Sequence, residues 1–222
     1  MPKFQTKLLG SVVALALLGV QTASIAGELQ VTVRDQQGQP LALAVVSVEG
    51  APAAARQAEM DQVEQLFSPF VLTVPVGSTV RFPNSDNIRH QVYSFSSAKS
   101  FELPLYSNQQ APSLNFETAG IVALGCNIHD HMRAYIYVSP HQQSVTTDAN
   151  GQAVIAIADQ GNSLIRVWYP RLGEQLTNEQ QLTVSADQQQ LAVQLAVTAD
   201  AQQPPPLSPL QQRFNKRKTT ND

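Results

Sequence analysis

Between Glu28 and Val197 the apolar positions fall in short runs, several of them alternating with polar residues, and Gly, Pro, Asn and Asp break the runs apart. Leu29, Val31 and Val33 alternate with polar neighbours, the period of a half-buried strand. Asp35-Gln36-Gln37-Gly38-Gln39-Pro40 is turn chemistry, and the valine-rich run from Leu41 to Val48 predicts a second strand. Residues 51–59, alanine-rich with one proline, predict a linker or a short helix. Phe70 to Pro75 and Ser78 to Phe82 flank Val76-Gly77 and predict a β-hairpin over residues 67–82. Pro75 then sits at a strand end or edge, where its missing N–H costs least.

A loop at residues 83–87 precedes a predicted strand from Arg89 to Ser94. The stretch from Ser96 to Ser113, with Pro104 and Pro112, reads as loop. Leu114 to Glu117 is a short strand, and the fully apolar Ile121 to Leu124 predicts a buried one. Ala134 to Val138 is rich in β-branched and aromatic residues, and Pro140 stops it. Further strands are predicted at Ser144–Thr147, Ala153–Ala158, Leu164–Tyr169, Gln181–Val184 and Leu191–Val197, with Asp148-Ala149-Asn150-Gly151 as a turn. Many short strands at regular spacing, and no long segment of helical period, predict an all-β sandwich.

The two ends have a different character. Lys3 and Lys7 precede an apolar run from Leu8 to Val20, and Ser24-Ile25-Ala26 places small residues before a cut at Gly27. That is a secretory signal peptide over residues 1–26; its apolar run of about 13 residues is short for a bilayer span, and an uncleaved anchor is the alternative. The expected compartment is the periplasm, with no stable membrane insertion after cleavage. Residues 200–222 carry Gln-Gln-Pro-Pro-Pro and then Arg213, Lys216, Arg217 and Lys218, the composition of a disordered tail. Residues 27–200 hold 8 Lys/Arg against 16 Asp/Glu, so the body is acidic and the tail basic. Basic residues so few and so terminal exclude a nucleic-acid surface.

Export sharpens the meaning of the single cysteine. Cys126 cannot form a disulfide within the chain, which leaves a buried spectator, an intermolecular bridge, or a reactive or metal-bound thiol. Its neighbours decide. Gly125-Cys126-Asn127-Ile128-His129-Asp130-His131-Met132 holds the only cysteine, two of the four histidines, and one of the two methionines beyond the initiator. Cys126, His129 and Met132 are spaced three and three between two apolar strands, so one compact loop can turn all three toward a point. His90, from another element, closes the set. Two His and one Cys with a weak axial Met are the ligands of a blue-copper electron-transfer site. Tetrahedral zinc on Cys126, His129, His90 and His131 is the chemical competitor, and it leaves Met132 without a role. His131 is expected to turn outward, His141 to be solvated in a loop, and His129 to present the exposed imidazole edge. No Ser-His-Asp or paired-carboxylate arrangement stands out, which argues against an enzyme.

Residues 67–138 resemble the plastocyanin-like cupredoxins, and the short Cys-x2-His-x2-Met loop resembles that of amicyanin. Phe82-Pro83-Asn84-Ser85-Asp86 before His90, and Leu124-Gly125-Cys126-Asn127-Ile128-His129-Asp130 before Met132, are similar to the exported bacterial proteins labelled "methylamine utilization protein". The resemblance implies one type 1 copper site on His90, Cys126, His129 and Met132, in a cupredoxin-like Greek-key β-sandwich over residues 56–140. Many cupredoxins have Asn directly after the first His; here it is Gln91, and Asn84 is the candidate for that bracing role. Val31 to Val46 and Thr147 to Gly151 resemble carboxypeptidase regulatory-like domains. They imply an additional β-sandwich built from residues 28–50 and 144–198, with the copper domain inserted; a simple extension of one sandwich is the alternative.

The expected function is that of a periplasmic electron carrier working with redox proteins such as a c-type cytochrome or a periplasmic oxidoreductase. Copper delivery without redox shuttling, and a structural interaction module with a zinc or vestigial site, are the alternatives.

Overall fold

The computed structural model describes residues 27–107 and 110–201; the expected signal peptide and the tail beyond Ala201 lie outside them. The chain opens with β1 (Gly27–Arg34) and β2 (Val45–Val48). Next come β3 (Gln57–Glu59), β4 (Asp61–Val63), β5 (Leu66–Ser68), β6 (Val71–Pro75), β7 (Ser78–Arg81) and β8 (Tyr93–Ser96). β9 (Lys99–Glu102), β10 (Ser113–Phe116), β11 (Gly120–Gly125) and β12 (Arg133–Ser139) complete that stretch. The chain ends on β13 (Gln143–Thr146), β14 (Gln152–Ile157), β15 (Asn162–Trp168), β16 (Gln180–Ser185) and β17 (Gln190–Gln194), with two short 3-10 turns between β15 and β16. No α-helix occurs among the described residues, and the molecule is an all-β sandwich.

Strand pairing sorts the chain into an outer and an inner part. The outer strands form a three-stranded sheet, β14-β1-β17, and a four-stranded sheet, β13-β2-β15-β16. The inner strands β3 to β12 pair only among themselves, as a five-stranded sheet β6-β12-β11-β8-β9, a three-stranded sheet β10-β7-β3 and the small hairpin β4-β5. Each part encloses its own apolar core. Leu29, Val31 and Val33 of β1 alternate inward to meet Ile155, Ile165 and Val193. Val74, Val80, Phe82, Phe116, Ile121 and Ile136 fill the inner core. β11 and β12 are buried along most of their length, which is why their sequences read as nearly continuous apolar runs.

Large side chains and a buried charge join the two parts. Trp168, on β15 of the outer part, is buried in the inner core, with Tyr135 and Tyr137 rings 5.7 and 5.8 Å away. Its indole N–H donates to the Gly173 carbonyl at 2.8 Å. Tyr137 donates its hydroxyl proton to the buried Glu179 carboxylate, whose other oxygen lies 3.4 Å from Arg166 Nη1. Burial and the neighbouring Glu179 carboxylate both push the Tyr137 phenol far above its ordinary range. His141 is buried with its Nε2 3.8 Å from Glu179, so the expectation of a solvated loop histidine is corrected: the residue is enclosed where the two parts meet.

Other expectations change in instructive ways. Residues 67–82 are not a hairpin. β6 joins the five-stranded sheet, parallel to β12, while β7 joins the other inner sheet beside β10 and β3. At the crossing, the Val76 N–H reaches Ser139 and the Gly77 N–H reaches Phe116, on opposite sheets. Two apolar runs around a glycine look the same in sequence whether they fold back in one sheet or arch between two. His90 lies outside any regular strand and pairs only with Tyr106 as an isolated bridge; β8 starts three residues later, at Tyr93. The stretch after Ser96 expected to be loop contains β9. Residues 51–56 have no regular structure, in keeping with a linker rather than a short helix, and lead into β3. Asp200, assigned to the tail, is docked: its buried carboxylate takes two hydrogen bonds from Arg133, at 3.0 and 2.5 Å.

Trp168→Ala removes the largest side chain shared by the two parts. Chemical denaturation followed by far-UV circular dichroism should show a loss of about 3–5 kcal/mol, the range for emptying a buried aromatic site.

Candidate metal centre

The ligand loop is residues 126–132, and its ends are held by the sheet. Gly125 and Arg133 are Cα partners, the last of the β11–β12 ladder. Both anchoring strands lie inside the five-stranded sheet, so the loop springs from a rigid base. Gly125 at its entrance lets the Tyr93 ring lie against the backbone: a Cβ there would come within 2.6 Å of that ring and push it aside. Within the loop the Met132 N–H donates to the His129 carbonyl at 2.9 Å, closing a tight turn.

Three donor atoms converge. His90 Nδ1 and His129 Nδ1 are 3.2 Å apart, and Cys126 Sγ lies 4.0 Å from the first and 3.8 Å from the second. They are the one group of three or more potential His, Cys or carboxylate ligands found among the described residues. With metal–nitrogen bonds of about 2.0 Å and metal–sulfur bonds of about 2.3 Å, a trigonal plane has sides of about 3.5 and 3.7 Å, against about 3.3 and 3.5 Å for a tetrahedral face. Both sulfur sides here exceed the tetrahedral value and fall nearer the trigonal one; the nitrogen–nitrogen side is shorter than either. A soft sulfur with two imidazoles suits copper, and the donor set fits that ion.

The orientation of His90 argues against accidental packing. Its ring is fully buried and its Nε2 is 2.7 Å from Asp86 Oδ2. A carboxylate there fixes the proton on Nε2 and leaves the Nδ1 lone pair facing the cluster, as metal-binding histidines require. Burial tends to raise Asp86, but hydrogen bonds from the Gln65 N–H, His90 and the Glu64 N–H together hold the carboxyl below its usual range. Asn84 shapes the loop that carries both residues. Its amide donates to the Ile88 and Tyr106 carbonyls, each at 3.0 Å, and its oxygen accepts the Asp86 N–H at 3.0 Å. Asn84 therefore braces the His90 side and makes no hydrogen bond to the ligand loop. Gln91 does not brace it either, since its amide donates to Glu102 at 2.6 Å.

His129 is partly exposed. Burial, and then repulsion from His90 and His131, lowers its pKa, with Asp86 opposing; a lowered pKa favours the neutral ring that a metal needs. His131 stands apart from the triangle, with its Nε2 donating to the Gln65 carbonyl at 3.0 Å. Met132 is buried in the same core as Cys126 and lines the same cleft. Sequence reasoning gave Asp86 no role. The available signal was its place four residues before His90, in a loop with enough polar residues to turn it back.

No protein-family model matches the chain, and no curated protein matches it significantly. Solved structures do resemble it. A purple cupredoxin from Nitrosopumilus maritimus is 24% identical over 37% of this chain and 99% of that one, with a TM-score of 0.34. A reduced Cu(I) form of an amicyanin variant is 24% identical over 42% of this chain and 98% of that one, with a TM-score of 0.35. A copper-containing nitrite reductase from Thermus scotoductus SA-01 is 26% identical over 37% of this chain, with a TM-score of 0.36, and the match spans only 22% of that protein. At TM-scores this low, the metal and its chemistry have to be argued from the residues of this chain.

Proposed function

We propose that this protein is an exported type 1 copper protein that carries single electrons between redox partners in the periplasm, and that it is not itself an enzyme. The observation that supports this best is the meeting of His90 Nδ1, Cys126 Sγ and His129 Nδ1, with the far nitrogen of His90 already bound by Asp86. Packing alone gives no reason to aim two imidazole nitrogens and a sulfur at one another in a mostly buried site.

Bound copper supplies the one-electron redox change; the protein supplies position, polarity and a dry pocket. In this reading Cys126, His90 and His129 would hold the ion, with Met132 available as a weaker thioether donor. The β11–β12 ladder keeps the loop ends still, so one geometry serves both oxidation states. His129, the more exposed of the two histidines, offers the edge for electron exchange. Ile128 and Ile88, both exposed, stand next to these elements in the chain and suit a weak, transient contact with a c-type cytochrome or another periplasmic redox protein. The finer resemblance to exported "methylamine utilization" proteins belongs to this reading. So does the assignment of the outer strands to a carboxypeptidase regulatory-like sandwich interrupted by the copper domain.

Titrating the mature protein with Cu(II) should produce an intense visible thiolate-to-copper band at one copper per chain, bleached by reductant and missing from Cys126→Ser. A colourless protein that takes up zinc stoichiometrically would overturn the electron-transfer reading. Met132→Gln should keep one copper and the band. Replacing a soft thioether with a harder oxygen donor favours Cu(II), so the reduction potential should fall, on the order of 60 mV for each tenfold change in relative affinity. Voltammetry measures the shift.

A further inference from the structure

The turn between β4 and β5 has an unusual construction. Val63 pairs with Leu66, which leaves Glu64 and Gln65 as a two-residue hairpin loop. Both residues are left-handed, with φ of 54° and 59°. Positive φ at both positions is the type I′ geometry, which favours Asn-Gly; here neither residue is glycine, and non-glycine residues occupy this region at a cost.

Beyond the β4–β5 ladder itself, three hydrogen bonds to the backbone of this turn lead to the candidate metal centre. The Glu64 N–H donates to Asp86 Oδ1 at 2.7 Å, and the Gln65 N–H donates to Asp86 Oδ2 at 2.9 Å. The same Oδ2 accepts a hydrogen bond from His90 Nε2 at 2.7 Å. On its other side, the Gln65 carbonyl accepts from His131 Nε2 at 3.0 Å. One short turn therefore touches the carboxylate that orients the upstream ligand and also the loop that carries Cys126, His129 and Met132. Two left-handed residues without glycine stand where their backbone groups span the site.

We propose that the Glu64–Gln65 turn is a strap across the metal centre and that His131 is a positioning residue rather than a ligand. His131 anchors the segment between His129 and Met132 to the same turn that anchors Asp86 and His90. The strap thereby fixes the spacing between the two sides of the donor triangle. With its Nε2 proton committed to the Gln65 carbonyl, and its ring edge-on to His129 at 5.7 Å between centroids, His131 steadies the loop without entering the donor set. The inference rests on the copper reading for its functional consequence, while the strap itself can be read in the metal-free protein.

The test compares the full mature chain with His131→Ala, His131→Gln and Glu64→Pro. Gln keeps an amide donor. Pro cannot adopt a positive φ and has no N–H, so it breaks the strap from the other end. Far-UV circular dichroism checks that each variant is folded, and the three changes keep the test open if one of them is not. In metal-free protein, hydrogen exchange at the Gln65 amide should speed up at least tenfold in His131→Ala and return toward the wild-type rate in His131→Gln. Loaded with Cu(II), His131→Ala should still hold one copper per chain but lose it to a chelator at least tenfold faster. Glu64→Pro should behave the same way, and His131→Gln should again be restored. Unchanged exchange and copper release in His131→Ala would overturn the proposal. Loss of copper in both His131 variants would also overturn it, making His131 a ligand. Failure of the wild-type protein itself to form the copper band would instead overturn the copper reading, and is told apart because no variant is needed to see it.

Discussion

The antiparallel register that sets Gly125 opposite Arg133 is the constraint on which the site depends. It brings the two ends of the ligand loop side by side at the end of two largely buried central strands. Loops are normally the mobile part of a β-sandwich, yet a metal triangle tolerates little movement of its donors. Here the mobility is removed from three directions. The ladder fixes the loop ends, the Met132 N–H to His129 carbonyl bond closes the turn within it, and His131 ties its far side to the β4–β5 turn. The opposite face is held by different means. His90 has no strand to carry it, so Asn84, Tyr106 and Asp86 fix its backbone and its ring.

Much of this was legible in the sequence, and the reason is period. Strands with one buried face, such as β1, announce themselves by alternation, and β11 and β12 by unbroken apolar runs. The loop between them was legible because Cys126, His129 and Met132 are rare residue types compressed into seven positions. Sheet membership was not legible. Nothing in Phe70 to Phe82 distinguishes an arch between two sheets from a hairpin within one, because the distinction is made by Ser139 and Phe116, far along the chain. His141 shows a second limit. A histidine after a proline in a polar stretch reads as solvated, but Glu179, almost 40 residues on, encloses it. Asp86 shows a third, since a carboxylate in a polar loop becomes an orienting group only when the loop folds back on His90.

The join between the inner and outer parts also bears on the site. β12 leaves the ligand loop and carries Tyr135 and Tyr137 directly against Trp168 of the outer part. Tyr137 then donates a hydrogen bond to Glu179, a carboxylate buried in contact with Arg166. Removing one partner from such a buried group strands the other and costs far more than a surface ion pair. The strand that ends the ligand loop is therefore gripped along its length by a second β layer. Arg133, its first residue, is gripped too, by Asp200 at the close of the described chain. On this view the outer sandwich stiffens the scaffold on which the loop stands.

Rigidity of this kind has a chemical rationale. On the proposed copper reading, a donor set that serves two oxidation states works fastest when neither state requires the ligands to move, so the protein would have to resist the preference of each state. Resistance demands contacts that do not pass through the metal. The hydrogen-bonded path from His90 through Asp86 and the Glu64–Gln65 turn to His131 is such a contact. It closes a circuit around the triangle made entirely of protein groups. The left-handed backbone at Glu64 and Gln65 is then a local cost offset by the three hydrogen bonds it makes possible. A freer turn with the same hydrophobic neighbours would complete the β4–β5 hairpin equally well, but it would not hold the two sides of the centre at one distance.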